Sequence, residues 1–293
     1  MQTVSTKKVV AIVVLIIALG VAGFWLLSRS KHTPEAVKVE TPRHTVIGRS
    51  VENRAIDAYT YGNGGAQILF VGGVHGGYEW NSVLLAYKFM DYLDVYPEIV
   101  PQNLTVIVIP SLNPDGVYKI VGKEGRFALA DIPVDTDQSA GRFNAHEVDL
   151  NRNFDCKWQS KSTWRDKVVS AGSAPFSEPE AEALKDFVLA NHPSAVIFWH
   201  SQSNAVYASQ CENGILPITL DIMNAYAKAA GYPAVKTFDA YATTGAADDW
   251  LASINIPAIT VELKTHEDIE WEKNLKGIQA LFEYLEEHAN ILP

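Results

Sequence analysis

Cysteine is nearly absent: Cys156 and Cys211 are the only two in 293 residues. That excludes a disulfide-stapled scaffold and a cysteine-based zinc module. The body is short of basic charge as well. Residues 1–44 hold six of the 24 Lys and Arg and two of the 34 Asp and Glu, which leaves residues 45–293 with a net charge of −14. Such a surface repels phosphate backbones, so a nucleic-acid partner is not expected. No coiled-coil, collagen or solenoid period is present. Aromatic residues make up 10% of the chain and are spread through the body, which argues against disorder. Neither G-x-G-x-x-G nor G-K-[ST] occurs, so the glycines form no recognised phosphate cradle.

One long hydrophobic run stands out. Residues 9–27 (VVAIVVLIIALGVAGFWLL) are uninterrupted and follow Lys7 and Lys8. As a helix they would span about 28 Å, close to the hydrocarbon thickness of a bilayer. The run exceeds the usual signal-peptide core, and no small-x-small cleavage site follows it. The expectation is a single-pass signal anchor, with cleavage and secretion as the alternative. Charge on the two flanks does not decide the topology, because Arg29, Lys31, Lys38 and Arg43 follow the run. The very short tail, residues 1–8, and the chemistry described below favour an extracytoplasmic body. Residues 28–44, with two prolines and no apolar period, read as a linker before a single catalytic domain at 45–293.

The body alternates strand and helix patterns. Ile56–Tyr61 and Gln67–Val71 read as strands around the turn at residues 62–65, and Leu104–Ile109 is a β-branched run. Ala195–Trp199 leads to His200 as an apolar strand, and Ala258–Leu263 is another. Helical spacing covers Trp80–Leu93, residues 217–230 and Glu267–His288. A further helix opens at Ser177, with Glu180 completing a capping box. This alternation predicts an α/β fold with a mostly parallel mixed central sheet and helices on both faces, preceded by one transmembrane helix. In such sheets the chemistry gathers at the carboxyl ends of strands.

Most of the eight histidines have structural explanations. His32 and His44 fall in the linker, and His192 and His288 sit near helix C-termini, where a cation suits the dipole. His146-Glu147 and His266-Glu267 fail H-E-x-x-H, since Leu150 and Glu270 stand where the second histidine belongs. His75 and His200 remain, each closing a strand. With Glu79 on the turn after His75 they supply two nitrogens and an oxygen, the donor set of a catalytic zinc site with one open position. Arg152 lies between two amides in Asp149-Leu150-Asn151-Arg152-Asn153, and Arg142 precedes it; arginine with a neighbouring amide suits a carboxylate. Glu262 interrupts an apolar strand, which suggests a general base or an ion pair. There is no G-x-S-x-G elbow, and neither cysteine has a nucleophile's context.

In chain order the motifs are GGVHGGYEWNS (72–82), PSLNPDGVY (110–118), GRFNAHEVDLNRNF (141–154), FWHSQ (198–202), YATTGAADDW (241–250) and TVELK (260–264). Together they resemble the zinc carboxypeptidase (funnelin) family across essentially all of residues 45–293. The resemblance implies its phosphorylase/hydrolase-like fold and one zinc ion per chain, held by His75, Glu79 and His200. It further implies Arg142 as oxyanion stabiliser, Asn151 and Arg152 as holders of the substrate's terminal carboxylate, Tyr241 closing over it, and Glu262 as general base. Asp248 matches a position in the pocket for the terminal side chain, where a carboxylate would favour a basic or amino-bearing residue. It would equally serve as a helix cap. The implied substrates are peptides ending in Lys or Arg, or cell-wall stem peptides with a diamino acid.

One departure matters. His75 and Glu79 are spaced H-x-x-x-E, where the family has H-x-x-E; a glycine-rich turn can absorb the extra residue. Were it not absorbed, the rival reading would be an inactive module that binds peptide termini. A second rival keeps the zinc but cleaves a non-peptide amide or ester. Cys156 and Cys211 fall in segments that converge on the site, so they form either a disulfide or two buried thiols, according to compartment.

Overall fold

The structure is a computed structural model, and it describes residues 43–134 and 137–288. The 9–27 run and nearly all of the linker lie outside the described residues. Among the described residues no helix is long and apolar enough to cross a membrane.

The described residues form ten strands: β1 (Arg43–Arg49), β2 (Ala55–Gly62), β3 (Ala66–Val71), β4 (Leu104–Ile109), β5 (Lys161–Trp164), β6 (Lys167–Ser170), β7 (Ala195–Ser201), β8 (Ala205–Ala208), β9 (Ala234–Val235) and β10 (Ala258–Leu263). Eight form one mixed sheet in the order β1-β2-β4-β3-β7-β10-β8-β9, while β5 and β6 form a separate hairpin. The centre of the sheet is parallel: β4, β3, β7 and β10 all run the same way. The flanking pairs β1–β2, β2–β4 and β10–β8 are antiparallel. β4 and β7 are buried at every position, as strands covered on both faces must be.

The helices are α1 (Trp80–Val95), α2 (Pro114–Val121), α3 (Pro179–Asn191), α4 (Pro217–Ala230), α5 (Ala247–Ser253) and α6 (Trp271–Glu287). One core, around Phe70, Phe89, Trp199, Tyr226 and Phe282, lies between the sheet and α1, α4 and α6. A second, around Leu69, Phe154, Leu184, Phe198 and Trp250, lies on the other face under α3 and α5. This is the expected α/β sandwich.

Three local expectations change. His44 is not in a linker: β1 begins at Arg43, and His44 Nε2 lies 2.7 Å from Asp57 on the neighbouring strand. The helix assigned to Ser177 begins at Pro179 without a capping box, because Glu180 instead accepts from Val51 N and Asn144 Nδ2. Proline at the first helical position fixes the start, since it needs no N–H partner there. The closing helix starts at Trp271 rather than Glu267. Asn81 holds the carbonyls of Thr265 and Asp268, and Glu270 is left-handed (φ 44°), which keeps the preceding residues out of the helix.

Candidate metal and substrate site

Three adjacent parallel strands deliver the polar residues to one edge of the sheet. His75 follows β3, His200 ends β7, and Glu262 lies in β10 in direct register with His200. The residue extra to the H-x-x-E spacing is accommodated in a tight helical turn at Gly76–Glu79. Gly76 is left-handed (φ 45°), and a Cβ there would meet the Gly141 carbonyl oxygen at 2.6 Å. Only glycine permits this approach, which brings the His75–Glu79 turn against the Arg142 segment.

Glu79 therefore does not swing away. Its Oε1 lies 2.7 Å from His75 Nδ1 and its Oε2 2.9 Å from His200 Nδ1, while the two Nδ1 atoms are 3.1 Å apart. The three side chains are buried, and their ligand atoms all lie within 4.8 Å of one another. Burial alone would raise the Glu79 carboxyl, but His75 and His200 hold it well below the usual range. Two imidazole nitrogens and a carboxylate suit zinc, and Ser201 N–H donates to Glu79 Oε2 at 3.2 Å, fixing its orientation.

Sequence reasoning gave Asp149 no role. The structure places its Oδ1 3.3 Å from His75 Nε2, while its Oδ2 accepts from Arg142 Nε at 2.9 Å and lies 2.8 Å from Nη2. One fully buried carboxylate thus lies against both the His75 imidazole and the Arg142 guanidinium. Burial opposes its charge, but Arg142, Arg152 and His75 keep its carboxyl well below the usual range. Its position two residues before Asn151 was the available signal. Arg142 also lies over the Trp164 ring, 4.7 Å from its centroid.

Asn151 and Arg152 line the same cleft. Asn151 Oδ1 accepts from Ala247 N–H at 2.9 Å, which leaves the amide's own N–H hydrogens for a ligand. Arg152 donates to the Thr163 carbonyl through Nε and Nη2, and to the Asn151 carbonyl through Nη1. Tyr241 forms part of the wall, its ring 4.8 Å from that of Phe238. Its loop docks on the Arg152 segment at Gly245, where φ is 70° and a Cβ would meet the Arg152 carbonyl oxygen at 2.2 Å.

Asp248 does not cap the helix, whose N-cap is Ala246, but pairs with its neighbours. It accepts from Asp249 N–H at the start of α5 and from Thr260 Oγ1 at 2.9 Å, and it faces the cleft. Asp249 lines the cleft beside it, and burial followed by the charge of Asp248 pushes its carboxyl up to about 7. Glu262 Oε2 accepts from Ser203 N–H at 3.2 Å. Desolvation, then the charge of Glu79, pushes the Glu262 carboxyl up to about 7. Cys156 and Cys211 form a disulfide. His266, set aside because it fits no motif, places Nδ1 2.6 Å from Ser201 Oγ, next to His200.

The fold and this cluster define a metallohydrolase of the α/β class. The chain belongs to the zinc carboxypeptidase family, whose model matches residues 25–290. It is 26% identical over 240 residues to the gamma-D-glutamyl-L-diamino acid endopeptidase 1 of Lysinibacillus sphaericus, covering 75% of this chain and 60% of that protein. It is 30% identical over 213 residues to murein peptide amidase A of Vibrio campbellii, covering 64% of this chain and 82% of that one. Among solved structures, bovine thrombin-activatable fibrinolysis inhibitor in complex with tick carboxypeptidase inhibitor shares the fold, with TM-score 0.68, 20% identity, and 92% of this chain and 97% of that chain covered. The murein-tripeptide amidase from Escherichia coli O157 shares it with TM-score 0.58 and 22% identity, covering 86% of this chain and 95% of that chain.

Proposed function

We propose that the protein is a zinc-dependent peptidase that releases a carboxy-terminal residue with an amino-bearing side chain, and that its substrates are cell-wall stem peptides. The observation that carries this reading is a single cleft holding the His75–Glu79–His200 cluster, the Asn151–Arg152 pair and two adjacent aspartates. The activities for which the Lysinibacillus and Vibrio relatives are named support the wall-peptide choice over peptides ending in Lys or Arg.

In this reading His75, Glu79 and His200 hold the ion. When bound, zinc supplies a Lewis acid that polarises the scissile carbonyl and makes a water molecule nucleophilic near neutral pH. Asn151 and Arg152 bind the terminal carboxylate and fix the register of the amide to be cut. Asp248 and Asp249 receive the side-chain ammonium, and Tyr241 covers the bound residue. Glu262 accepts the proton of the attacking water and passes it to the leaving amine. Arg142, locked by Asp149, presents a fixed positive charge to the developing oxyanion.

The proposal extends to location. Residues 9–27 anchor the chain, and the domain lies outside the membrane, where wall peptides are found. The Cys156–Cys211 disulfide supports an oxidising compartment.

The test pairs zinc content of the full chain with release of the terminal residue from wall tripeptides and from Lys- or Arg-terminated peptides. One zinc with release from wall tripeptides is expected. Zinc without release of any amino-bearing residue would overturn the reading. Membrane fractionation with external protease treatment tests the anchor and its orientation.

A further inference from the structure

Three guanidinium groups line the cleft, and they are not equally neutralised. Arg142 is paired with Asp149, and Glu79 lies 3.7 Å from it. Arg152 gives its hydrogens to carbonyls, and Arg165 gives one to Tyr78 Oη at 3.2 Å. Among the described residues, neither Arg152 nor Arg165 has a carboxylate within ion-pair distance. Arg152 has an assigned use, the terminal carboxylate. Arg165 has none.

Contacts order the three along the cleft. The Thr163 carbonyl holds Arg152, the Trp164 ring lies against Arg142, and Arg165 follows at the tip of the β5–β6 hairpin. There it meets Tyr78, the residue before Glu79, whose ring also packs edge-on to Trp164 at 5.2 Å. The hairpin thus runs from the Arg152 end of the cleft, past Arg142, to Tyr78 beside Glu79. Arg165 is left-handed (φ 57°), a conformation in which glycine is least strained at a two-residue hairpin turn. The arginine at this turn lines the cleft, its Nη2 donating to Tyr78 Oη.

We propose that Arg165 and Tyr78 Oη form an acyl-side subsite for a second carboxylate. This rests on the peptidase reading and narrows it: the substrate carries one carboxylate on the released residue and another on the residue whose carbonyl is attacked. Two linkages present that group. A γ-linked glutamyl residue keeps its α-carboxylate free, and an α-linked acidic residue offers its side chain. A peptide with a neutral penultimate residue offers neither.

The experiment uses the zinc-loaded full chain and two substrate pairs. The first is L-Ala-γ-D-Glu-L-Lys and its α-carboxamide analogue; the second is L-Ala-L-Glu-L-Lys and L-Ala-L-Gln-L-Lys. Each is measured with wild type, Arg165→Gln and Arg165→Lys. In at least one pair, wild type should prefer the carboxylate by about tenfold in kcat/KM, the scale of one charge-assisted hydrogen bond. Arg165→Gln should lose that preference, the two rates within each pair converging, and Arg165→Lys should retain part of it. The pair that responds identifies the linkage. A preference absent from both pairs, or preserved in Arg165→Gln, overturns the proposal.

Calorimetric binding of the same ligands to zinc-loaded Glu262→Gln, with and without Arg165→Gln, gives a readout independent of turnover. If wild type cleaves none of the four, the peptidase reading fails while binding still decides the subsite. Equal affinities for carboxylate and carboxamide would overturn it.

Discussion

The Asp149 carboxylate stands 3.3 Å from His75 Nε2, on the side of the ring opposite the nitrogen that faces Glu79. A carboxylate at that position fixes the tautomer and orientation of a metal-binding imidazole and raises its basicity. Asp149→Ala is therefore expected to weaken zinc binding by roughly 10–100-fold, measured by competition with a chelator. The variant should also lose about 3 kcal/mol of stability, because buried Arg142 is left without its partner. Asp149→Asn keeps the volume and separates the two effects. Unchanged zinc affinity in both variants would remove Asp149 from the metal site.

Glu262 is the proposed proton carrier, and it contributes no atom to the His75–Glu79–His200 cluster. Glu262→Gln should lower kcat by roughly 10²–10⁴-fold, the usual contribution of a general base, while zinc stoichiometry stays at one. Loss of zinc together with activity would instead make Glu262 part of the metal site. Full turnover would remove it as base.

Asp249 gives the cleft a pH dependence with two opposite readouts. Its carboxyl is pushed up to about 7 in the folded protein, against about 4 in an unfolded chain. The folded state holds the proton more tightly, so this contribution to stability is complete below about pH 4 and lost as pH rises through about 7. The Tm of Asp249→Asn relative to wild type should therefore rise between about pH 4 and pH 7. Binding runs the other way, because deprotonation adds negative charge where the proposed substrate ammonium is received. The wild-type KM for Lys-terminated substrates should fall as pH rises through about 7, and the Asn variant should show a flatter curve. A Tm difference independent of pH would contradict the raised carboxyl.

The parts legible from sequence were those in which one local rule decided the outcome. β4, β10 and α4 have the bounds expected from their apolar patterns, because burial on the sheet or on one helix face leaves little choice. β1 was missed because it is mostly exposed, and β5 (Lys161–Trp164) because it is a short polar strand with no long apolar run. The site shows the same division. The motifs identified the residues brought together around the cleft, whereas Asp149, Trp164, Arg165 and His266 matter through where loops fold. Trp164 reaches Arg142 only because the β5–β6 hairpin lies across the cleft, and no spacing rule connects residues 142 and 164.

The disulfide ties two walls of that cleft together. The Cys156 carbonyl accepts from Gly245 N–H at 2.8 Å, next to the Arg152 segment. Cys211 follows Gln210, whose N–H donates to Asp249 at 2.9 Å. The bond closes a loop across a sequence separation of 55, for which chain entropy gives about 4 kcal/mol. Reduction, or the double variant Cys156→Ser/Cys211→Ser, should lower Tm by about 10 °C in a domain of this size. Because the bond links the Arg152 segment, the proposed carboxylate site, to the Asp249 wall, the loss should appear in KM for amino-bearing substrates more than in kcat. A variant with wild-type KM and reduced Tm would confine the disulfide to stability. If Tm does not change, the unfolded chain is not being constrained at this loop.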